Sequence, residues 1–219
     1  MDPEFWHQRW RNGEIGFHQD TPHLFLAAHW PGLGVAPGGR VLVPLCGKSR
    51  DMHWLANAGH RVIGIELSAL AVEAFFADAR LDPAIASSGA HHVYSAGAYE
   101  IWCGDIFDVQ SEPLSGVAAV YDRASLVALP RALRVRYAQW LSRVIAPATP
   151  MLLVSLSYEQ SEMSGPPFAV TDGEVANLFV DEFSIERLSA RQAMDDNPGL
   201  RKRGLTSLIE TAFLLRRKP

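Results

Sequence analysis

The sequence predicts a doubly wound α/β fold built on a mostly parallel sheet. Short runs rich in β-branched residues alternate with segments of helical periodicity, which is typical of parallel strands joined by helices. Several of these runs are apolar throughout, as expected for strands that helices cover on both faces. The chain of 219 residues suits one domain, so we expect a single domain over 1–219 in which 1–38 is an N-terminal lid or cap segment.

The first half of the chain follows the order strand, helix, strand, helix. Residues 40–46 form a short apolar run and are expected to be the first strand. A helix is predicted over 49–58, and it ends at Gly59 because glycine readily adopts the left-handed conformation that closes helices. A second buried strand is predicted over 61–66, and Ser68 is expected to cap the helix that follows.

The middle of the chain continues this alternation. Strands are predicted over 99–103, 117–121 and 151–156. Between the last two, a helix is expected to begin near Pro130, which suits a first helical turn, and to stop before Pro147. Ligands bind at the carboxyl ends of strands in doubly wound sheets, so the residues after the first, second and fourth strands are the candidate site.

The final third of the chain is predicted to contain a loop, a helix and a hairpin. Residues 157–170 lack periodicity and contain consecutive prolines, and a loop at this place can close over a ligand. Thr171 and Glu174 have the spacing of a capping box, which predicts one more helix. Two strands over 183–188 and 206–215 are expected to form an edge hairpin joined by a charged connector.

The composition favours a small-molecule partner inside the cell. A formal net charge of -4 and a pI of about 6.0 leave no basic field for nucleic acid, so none is expected. The first residues lack the apolar stretch of a signal peptide, and no window approaches the roughly 20 apolar residues of a membrane span. We therefore expect a cytoplasmic protein without membrane contact, and a monomer.

The cysteines and histidines do not suggest metal or disulfide chemistry. Cys46 and Cys103 are distant in sequence, and in a reducing compartment such residues are usually buried thiols. The eight histidines lack the spacing of ligand pairs on a helix face. No metal is predicted.

The turn after the first strand fits a nucleoside-type ligand. Gly47, between Cys46 and Lys48, lets the backbone approach a ligand that a Cβ would obstruct. A phosphate-binding P-loop is rejected because its spacing requires glycine where Leu42 stands. A single glycine is also short of the dinucleotide fingerprint, and a plain tight turn remains the alternative.

Acidic residues after the next strands strengthen the nucleoside interpretation. Glu66 ends the second strand about 20 residues after the glycine, where a carboxylate accepts hydrogen bonds from ribose hydroxyls. Asp105 follows the 99–103 strand, where it can accept from an adenine amino group while Ile106 lies against the ring face. A turn or helix-cap role is an equally good interpretation of Asp105.

Two further features allow more than one interpretation. Arg123, beside Asp122 after the 117–121 strand, is either a ligand contact or half of a structural ion pair. A short stretch near the N-terminus, predicted to be rich in loops, contains three large aromatic residues: Trp6, Trp10 and Phe17. Their rings either pack as core or cover a cationic sulfonium through cation–π attraction.

Five motifs follow one another between residues 6 and 168. They are Trp6-x-x-x-Trp10 with Asn12-Gly13-x-x-x-Phe17-His18, Pro44-Leu45-Cys46-Gly47-Lys48-Ser49, Gly59-His60-x-Val62-x-Gly64-x-Glu66, Asp122-Arg123-x-x-Leu126-Val127-Ala128 and Gly165-Pro166-Pro167-Phe168. Together they resemble the thiopurine S-methyltransferases. The resemblance implies a Rossmann-like class I methyltransferase fold, with a seven-stranded sheet whose last strand is antiparallel, and S-adenosyl-L-methionine as methyl donor.

The resemblance also implies roles for individual residues. Cofactor contacts are expected at Trp10, Leu45, Glu66, Asp105, Ile106 and Arg123. Phe17 and Arg123 match positions that border the methyl acceptor. The match fades after residue 168, so none of Arg201, Lys202 and Arg203 is assigned to the acceptor.

The resulting hypothesis is methyl transfer to the sulfur of a thiopurine-like small molecule. A thione or thiolate is already nucleophilic, so the protein supplies alignment and water exclusion while Arg123, the expected catalytic residue, stabilises negative charge on the acceptor. Bacterial members of the family also suggest selenium or tellurium acceptors, which makes a thiol or chalcogen compound the expected partner. The alternatives are an NAD-dependent oxidoreductase and a nucleoside-binding module without catalysis.

Overall fold

A computed structural model describes residues 3–14, 19 and 21–219. A first compact unit ends at Tyr121 and a second begins at Asp122. The helices of the first unit are α1 (Pro3–Arg11), α2 (Leu24–His29), α3 (Arg50–Asn57) and α4 (Ala69–Asp78). Its strands are β1 (Arg40–Pro44), β2 (Arg61–Glu66), β3 (Ala84–Ser88), β4 (His91–Ala96), β5 (Tyr99–Cys103) and β6 (Val117–Asp122).

The strands of the first unit lie in the order β3-β4-β5-β2-β1-β6. Strand β1 runs parallel to both β2 and β6, and β2 runs parallel to β5. The hairpin of β3 and β4 is antiparallel and pairs with β5. Because β1, β2 and β5 are parallel, the residues that follow them emerge at one edge of the sheet, which is where Leu45, Glu66 and Gly104 lie.

The helices of the first unit begin largely as the sequence predicts. Ser49 caps α3, since its hydroxyl accepts a hydrogen bond from the N–H of Asp51 at 3.2 Å, and Gly59 follows the helix with φ +91°. The predicted side-chain cap at Ser68 is wrong, although Ser68 does hold the N-cap position of α4. The N–H of Ala71, which a capping hydroxyl would take, bonds to the carbonyl of Ser68 instead.

The second unit combines helices with an antiparallel group of strands. Strand β9 lies between β7 and β8 and is antiparallel to both. The predicted terminal hairpin is therefore confirmed. The elements are α5 (Ser125–Ala128), α6 (Arg131–Val144), β7 (Pro150–Ser157), α7 (Asp172–Phe179), β8 (Phe183–Gln192), α8 (Pro198–Lys202) and β9 (Ile209–Arg217).

A partly buried ion pair fixes the start of α7. Thr171 caps the helix as predicted, with its hydroxyl accepting from the N–H of Glu174 at 3.2 Å. The carboxylate of Glu174 pairs with Arg134 at 2.6 Å, and Arg134 is only 4% exposed. Arg134 also donates to the carbonyls of Leu129 and Ala169. The guanidinium thus holds α6, α7 and the end of the 157–170 loop together.

The predicted α/β class and the antiparallel last strand are confirmed, with two corrections. The described residues contain nine strands rather than seven, because the β3–β4 hairpin adds two. Every residue of β3 is exposed, so this strand lacks the apolar pattern that marks a buried one. The N-terminal stretch predicted to be loop-rich contains α1, which buries none of its residues fully.

No helix in the described part of the chain is long and apolar enough to cross a bilayer.

An uncharged histidine lies in the core of the first unit. Trp30 donates its indole N–H to Nε2 of His60 at 3.0 Å, and both side chains are buried. The nitrogen that accepts this bond carries no proton, so the folded protein favours the neutral form of the His60 imidazole. Burial lowers the pKa of His60 below its usual value of 6.5.

We expect the free energy of unfolding to fall as the pH decreases below about 6.5. The reason is that His60 binds a proton more readily in the unfolded protein than in the native protein. In His60→Gln the side-chain carbonyl still accepts from Trp30 but does not titrate, so the decline should be shallower. Urea unfolding of both proteins between about pH 5 and 7.5 measures the difference. Parallel pH profiles would show that His60 does not contribute to the acid sensitivity.

Candidate active site

The loop after β1 has a strained, tightly fixed backbone. Leu45 and Gly47 both have left-handed conformations, with φ of +44° and +51°. For leucine this conformation costs about 1–2 kcal/mol, and strain of this kind concentrates at functional sites. The N–H of Cys46 donates to the carbonyl of Ile65 at 3.0 Å and fastens the loop to β2. The loop therefore presents its backbone in one defined shape at the carboxyl end of β1.

The carboxylate of Glu66 joins this loop to the next helix. One oxygen accepts the N–H of Gly47 and the other accepts the N–H of Ser68, each at 2.8 Å. Glu66 is 6% exposed, and burial raises the pKa of its carboxyl while these N–H donors oppose the rise. Each carboxylate oxygen has more than one lone pair, so Glu66 can still accept from the hydroxyls of a ribose.

Trp10 lies directly over the loop. A Cβ added to Gly47 would stand 3.3 Å from Cζ2 of the Trp10 ring, so indole and loop backbone are already in close contact. Trp6 and Trp10 are half-buried, and no residue of α1 is fully buried. The aromatic residues of α1 therefore line a surface of the first unit rather than its core.

The residues that follow β5 form a second fixed turn. The side chain of Asp105 accepts the N–H of Phe107 at 2.9 Å and begins a short 3₁₀ turn at Ile106, which is buried. The turn interpretation of Asp105 is thus confirmed, and it leaves the adenine contact a proposal.

His91 supports this turn from the β3–β4 hairpin. Its Nε2–H donates to the carbonyl of Asp105 at 3.0 Å, and a Cβ on Gly104 would come within 2.5 Å of the imidazole ring. Glycine at 104 is therefore needed for the close approach of His91. Sequence analysis did not identify His91 as part of the site, because no local sequence pattern indicates that His91 contacts Asp105.

The two cysteines flank Glu66 as buried free thiols, which confirms their predicted state. Burial raises the pKa of the Cys46 thiol well above its usual value, and the charge of Glu66 adds to the effect. The same two causes raise the pKa of Cys103 to about 11. Both thiols are protonated near neutral pH and are therefore poor nucleophiles.

Of the remaining predicted residues, Arg123 lies in the second unit. Arg123 follows β6 directly and is partly exposed. The neighbouring Asp122 is fully buried, and its carboxylate accepts the hydroxyl of Tyr137 at 2.6 Å and the N–H of Ser125 at 3.1 Å. Phe17 lies outside the described residues.

The three basic residues near the C-terminus differ in their contacts. Arg201 forms an exposed ion pair with Asp195 at 2.7 Å, and Lys202 is exposed. Arg203 donates to the carbonyl of Pro166 at 3.0 Å, so it is tied to the 157–170 loop. Within the described residues, no group of three or more His, Cys, Asp or Glu side chains is placed to hold a metal ion.

Several solved structures that superpose on this chain are methyltransferases. The chain superposes on a methyltransferase from Anabaena variabilis with a TM-score of 0.67, at 15% identity, covering 98% of this chain and 95% of that one. It superposes on the Burkholderia thailandensis 1,6-didemethyltoxoflavin-N1-methyltransferase, which was solved with S-adenosylhomocysteine, with a TM-score of 0.66 at 14% identity. That match covers 99% of this chain and 87% of the other. The Rossmann-like class I fold is confirmed.

Sequence comparison gives the family. The profile of the thiopurine S-methyltransferase (TPMT) family matches residues 1–218. A thiopurine S-methyltransferase of Pseudomonas entomophila is 46% identical over 99% of this chain and 100% of its own length, and one of Bordetella petrii is 45% identical over the full length of both. The chain is thus an S-adenosylmethionine-dependent methyltransferase, not an oxidoreductase or a non-catalytic nucleoside-binding module. It belongs to the thiopurine S-methyltransferase family.

We expect Glu66→Gln to weaken S-adenosylhomocysteine binding by roughly 1–3 kcal/mol near neutral pH, because a charged acceptor is lost. Burial raises the pKa of Glu66 above 4.5, so lowering the pH through that raised value should protonate it and weaken binding in the parent protein. The Gln variant should lack this component of the pH dependence.

Calorimetric titration with S-adenosylhomocysteine at several pH values measures both effects. The control is Glu73→Gln, which makes the same change on the exposed side of α4. Equal affinity in the parent and Glu66→Gln would exclude Glu66 as a ribose ligand.

Proposed function

We propose that this enzyme transfers the methyl group of S-adenosylmethionine to the sulfur of thiopurine-like small molecules. Related selenium or tellurium compounds are further acceptors in this proposal. The names of the full-length relatives support a thiopurine acceptor. The feature of this chain that supports the proposal most is the Glu66 carboxylate, held by the backbone of Gly47 at a strained loop that Trp10 covers.

The proposed cofactor residues contact different parts of the nucleoside. Glu66 accepts from the ribose hydroxyls, while Asp105 and Ile106 hold the adenine by hydrogen bonding and by apolar contact. Leu45 and Trp10 shield the loop from water, and the indole face attracts positive charge. The bound cofactor supplies an electrophilic methyl group on its sulfonium.

Arg123 is proposed to bind the acceptor and stabilise its negative charge. A guanidinium offers a planar fork of donors, which suits an acceptor with adjacent nitrogen and sulfur atoms. Because a thiopurine sulfur is already nucleophilic, no strong general base is required, and alignment with exclusion of water accounts for the catalysis. Phe17 is proposed to border the same acceptor. A single domain with a lid over 1–38, a monomeric state and a cytoplasmic location stay predictions.

S-adenosylhomocysteine should stabilise the protein, whereas NAD should not. A ligand that binds only the native state at about 100 times its Kd adds about 2.7 kcal/mol. For a chain of this size that raises Tm by about 5–10 °C. Thermal unfolding with each ligand, followed by methyl transfer from labelled donor to a panel of thiopurine, thiol, selenol and tellurite acceptors, tests the proposal. Transfer to none of the sulfur acceptors would contradict it.

Arg123→Lys should lower kcat/KM for a thiopurine by about tenfold or more, equivalent to roughly 1.4 kcal/mol of transition-state stabilisation. Lysine keeps the charge but loses the planar fork, so Tm and cofactor affinity should change little. Steady-state kinetics and a melting curve provide the measurement, with Arg131→Lys at the exposed start of α6 as the matched control. Unchanged activity would make Arg123 a structural residue, and a collapsed Tm would identify it as the partner of a buried anion.

A further inference from the structure

The β3–β4 hairpin places a buried histidine at the carboxyl end of β5. Strand β4 runs antiparallel to β5, with His92 opposite Cys103, the last residue of β5. His91, which precedes His92, therefore lies beside the turn that begins at Gly104, and its side chain is only 4% exposed. The two strands that the hairpin adds to the sheet thus bring an imidazole to the candidate cofactor site.

The imidazole of His91 is held in one orientation by its neighbours. Its Nε2–H donates to the carbonyl of Asp105 at 3.0 Å. The ring meets the Trp102 ring edge-on, with 5.7 Å between the two centroids. The backbone of Gly104 approaches so closely that a Cβ there would come within 2.5 Å of the imidazole. A side chain packed this closely has little rotamer freedom, so the donor is directed at a single acceptor.

The carbonyl that receives this bond also closes the turn. The carbonyl of Asp105 accepts the N–H of Asp108 at 3.1 Å, which forms the short 3₁₀ turn. A carbonyl oxygen has two lone pairs, and these two donors use both. The N–H of Gly104 donates to the carbonyl of Glu66 at 2.9 Å and ties the same turn to the end of β2. The imidazole and β2 therefore hold the turn from two sides.

This turn carries the side chains that are proposed to bind adenine. Asp105 uses Oδ1 to accept the N–H of Phe107 at 2.9 Å, so Oδ2 can accept from the adenine amino group. A hydrogen bond weakens steeply as its geometry departs from linear, so the backbone of Asp105 has to stay in place for this contact. The imidazole of His91 acts on that backbone and not on the carboxylate.

We propose that His91 is a positioning residue for adenine recognition. By holding the carbonyl of Asp105, it fixes the direction in which the carboxylate of the same residue meets the adenine amino group. Loss of the Nε2–H donor would leave this carbonyl with one hydrogen bond fewer and would let the turn shift. The inference rests on the proposed function, because it assumes that Asp105 contacts the adenine of the bound cofactor.

The test compares two ligands that differ only in the purine. S-inosylhomocysteine carries a carbonyl where S-adenosylhomocysteine carries the amino group, so it cannot donate to a carboxylate at that position. The parent protein should bind S-adenosylhomocysteine about tenfold or more tightly, because a site built for a hydrogen bond rejects a ligand that lacks the donor. Calorimetric titration with each ligand measures this preference.

Three variants connect the preference to His91. His91→Leu removes the donor and keeps an apolar side chain, and it should reduce the preference to about threefold or less, because a misdirected hydrogen bond is weak. His91→Gln should keep most of the preference, since its amide N–H can reach the same carbonyl. The control is His92→Leu, the same change at the adjacent exposed residue, which should match the parent. Because the preference is a ratio within one folded protein, a general loss of stability does not change it.

A measurement on the unaltered protein tests the same bond without a substitution. Nitrogen NMR reports which ring nitrogen carries a proton, and Nε2 of His91 should be protonated both in the free protein and with S-adenosylhomocysteine. A neutral ring protonated only at Nδ1 could not donate to the carbonyl of Asp105. That result would overturn the positioning role even if His91→Leu did not fold.

The remaining outcomes separate this inference from the proposed function. If folded His91→Leu keeps the preference of the parent, or His91→Gln loses as much of it as His91→Leu, the positioning role is wrong. A parent protein that binds both ligands equally would overturn it too, since Asp105 would then not recognise the amino group. If the parent prefers S-adenosylhomocysteine but transfers no methyl group to sulfur acceptors, the proposed function fails while the positioning role stands.

Discussion

The buried carboxylate of Glu66 is the interaction on which the candidate cofactor site depends. Its two oxygens hold the N–H groups of Gly47 and Ser68, so one side chain sets the distance between the loop after β1 and the start of α4. Taking a carboxylate out of water is unfavourable, and the raised pKa of Glu66 reflects this. The backbone donors offset only part of the cost, and a ligand with a diol can offset more.

Around this carboxylate, the first unit uses backbone conformation and close packing rather than many polar side chains. Leu45 and Gly47 hold left-handed conformations, and the glycines at 64 and 104 make room for the thiol of Cys46 and the ring of His91. Such contacts leave little freedom for the loops at the strand ends. A rigid site loses less entropy on binding, which favours tight recognition of a flexible cofactor.

The second unit is organised by the 157–170 loop, which is more firmly held than its sequence suggests. The hydroxyl of Tyr158 donates to the carbonyl of Pro167 at 2.6 Å, and the N–H of Phe168 donates to the carbonyl of Val127 at 2.7 Å. Arg203 and Arg134 hold the carbonyls of Pro166 and Ala169. These bonds fix the backbone of the final part of the loop, from Pro166 to Val170, to its surroundings.

The sequence by itself determined the order of strands β1, β2, β5, β6 and β7 and of the helices α3, α4 and α6 between them. It also determined the cap at Thr171, the terminal hairpin and the position of Glu66, because apolar periodicity, capping residues and strand-end spacing are local patterns. It did not reveal the β3–β4 hairpin, whose first strand is exposed throughout, or α1, which buries none of its residues fully. Only the tertiary structure decided that Trp10 covers Gly47 and that His91 supports Asp105. Each of these pairs is separated by many residues, and a hydrogen bond or ring contact between distant residues follows from how strands and helices pack, which no local pattern records.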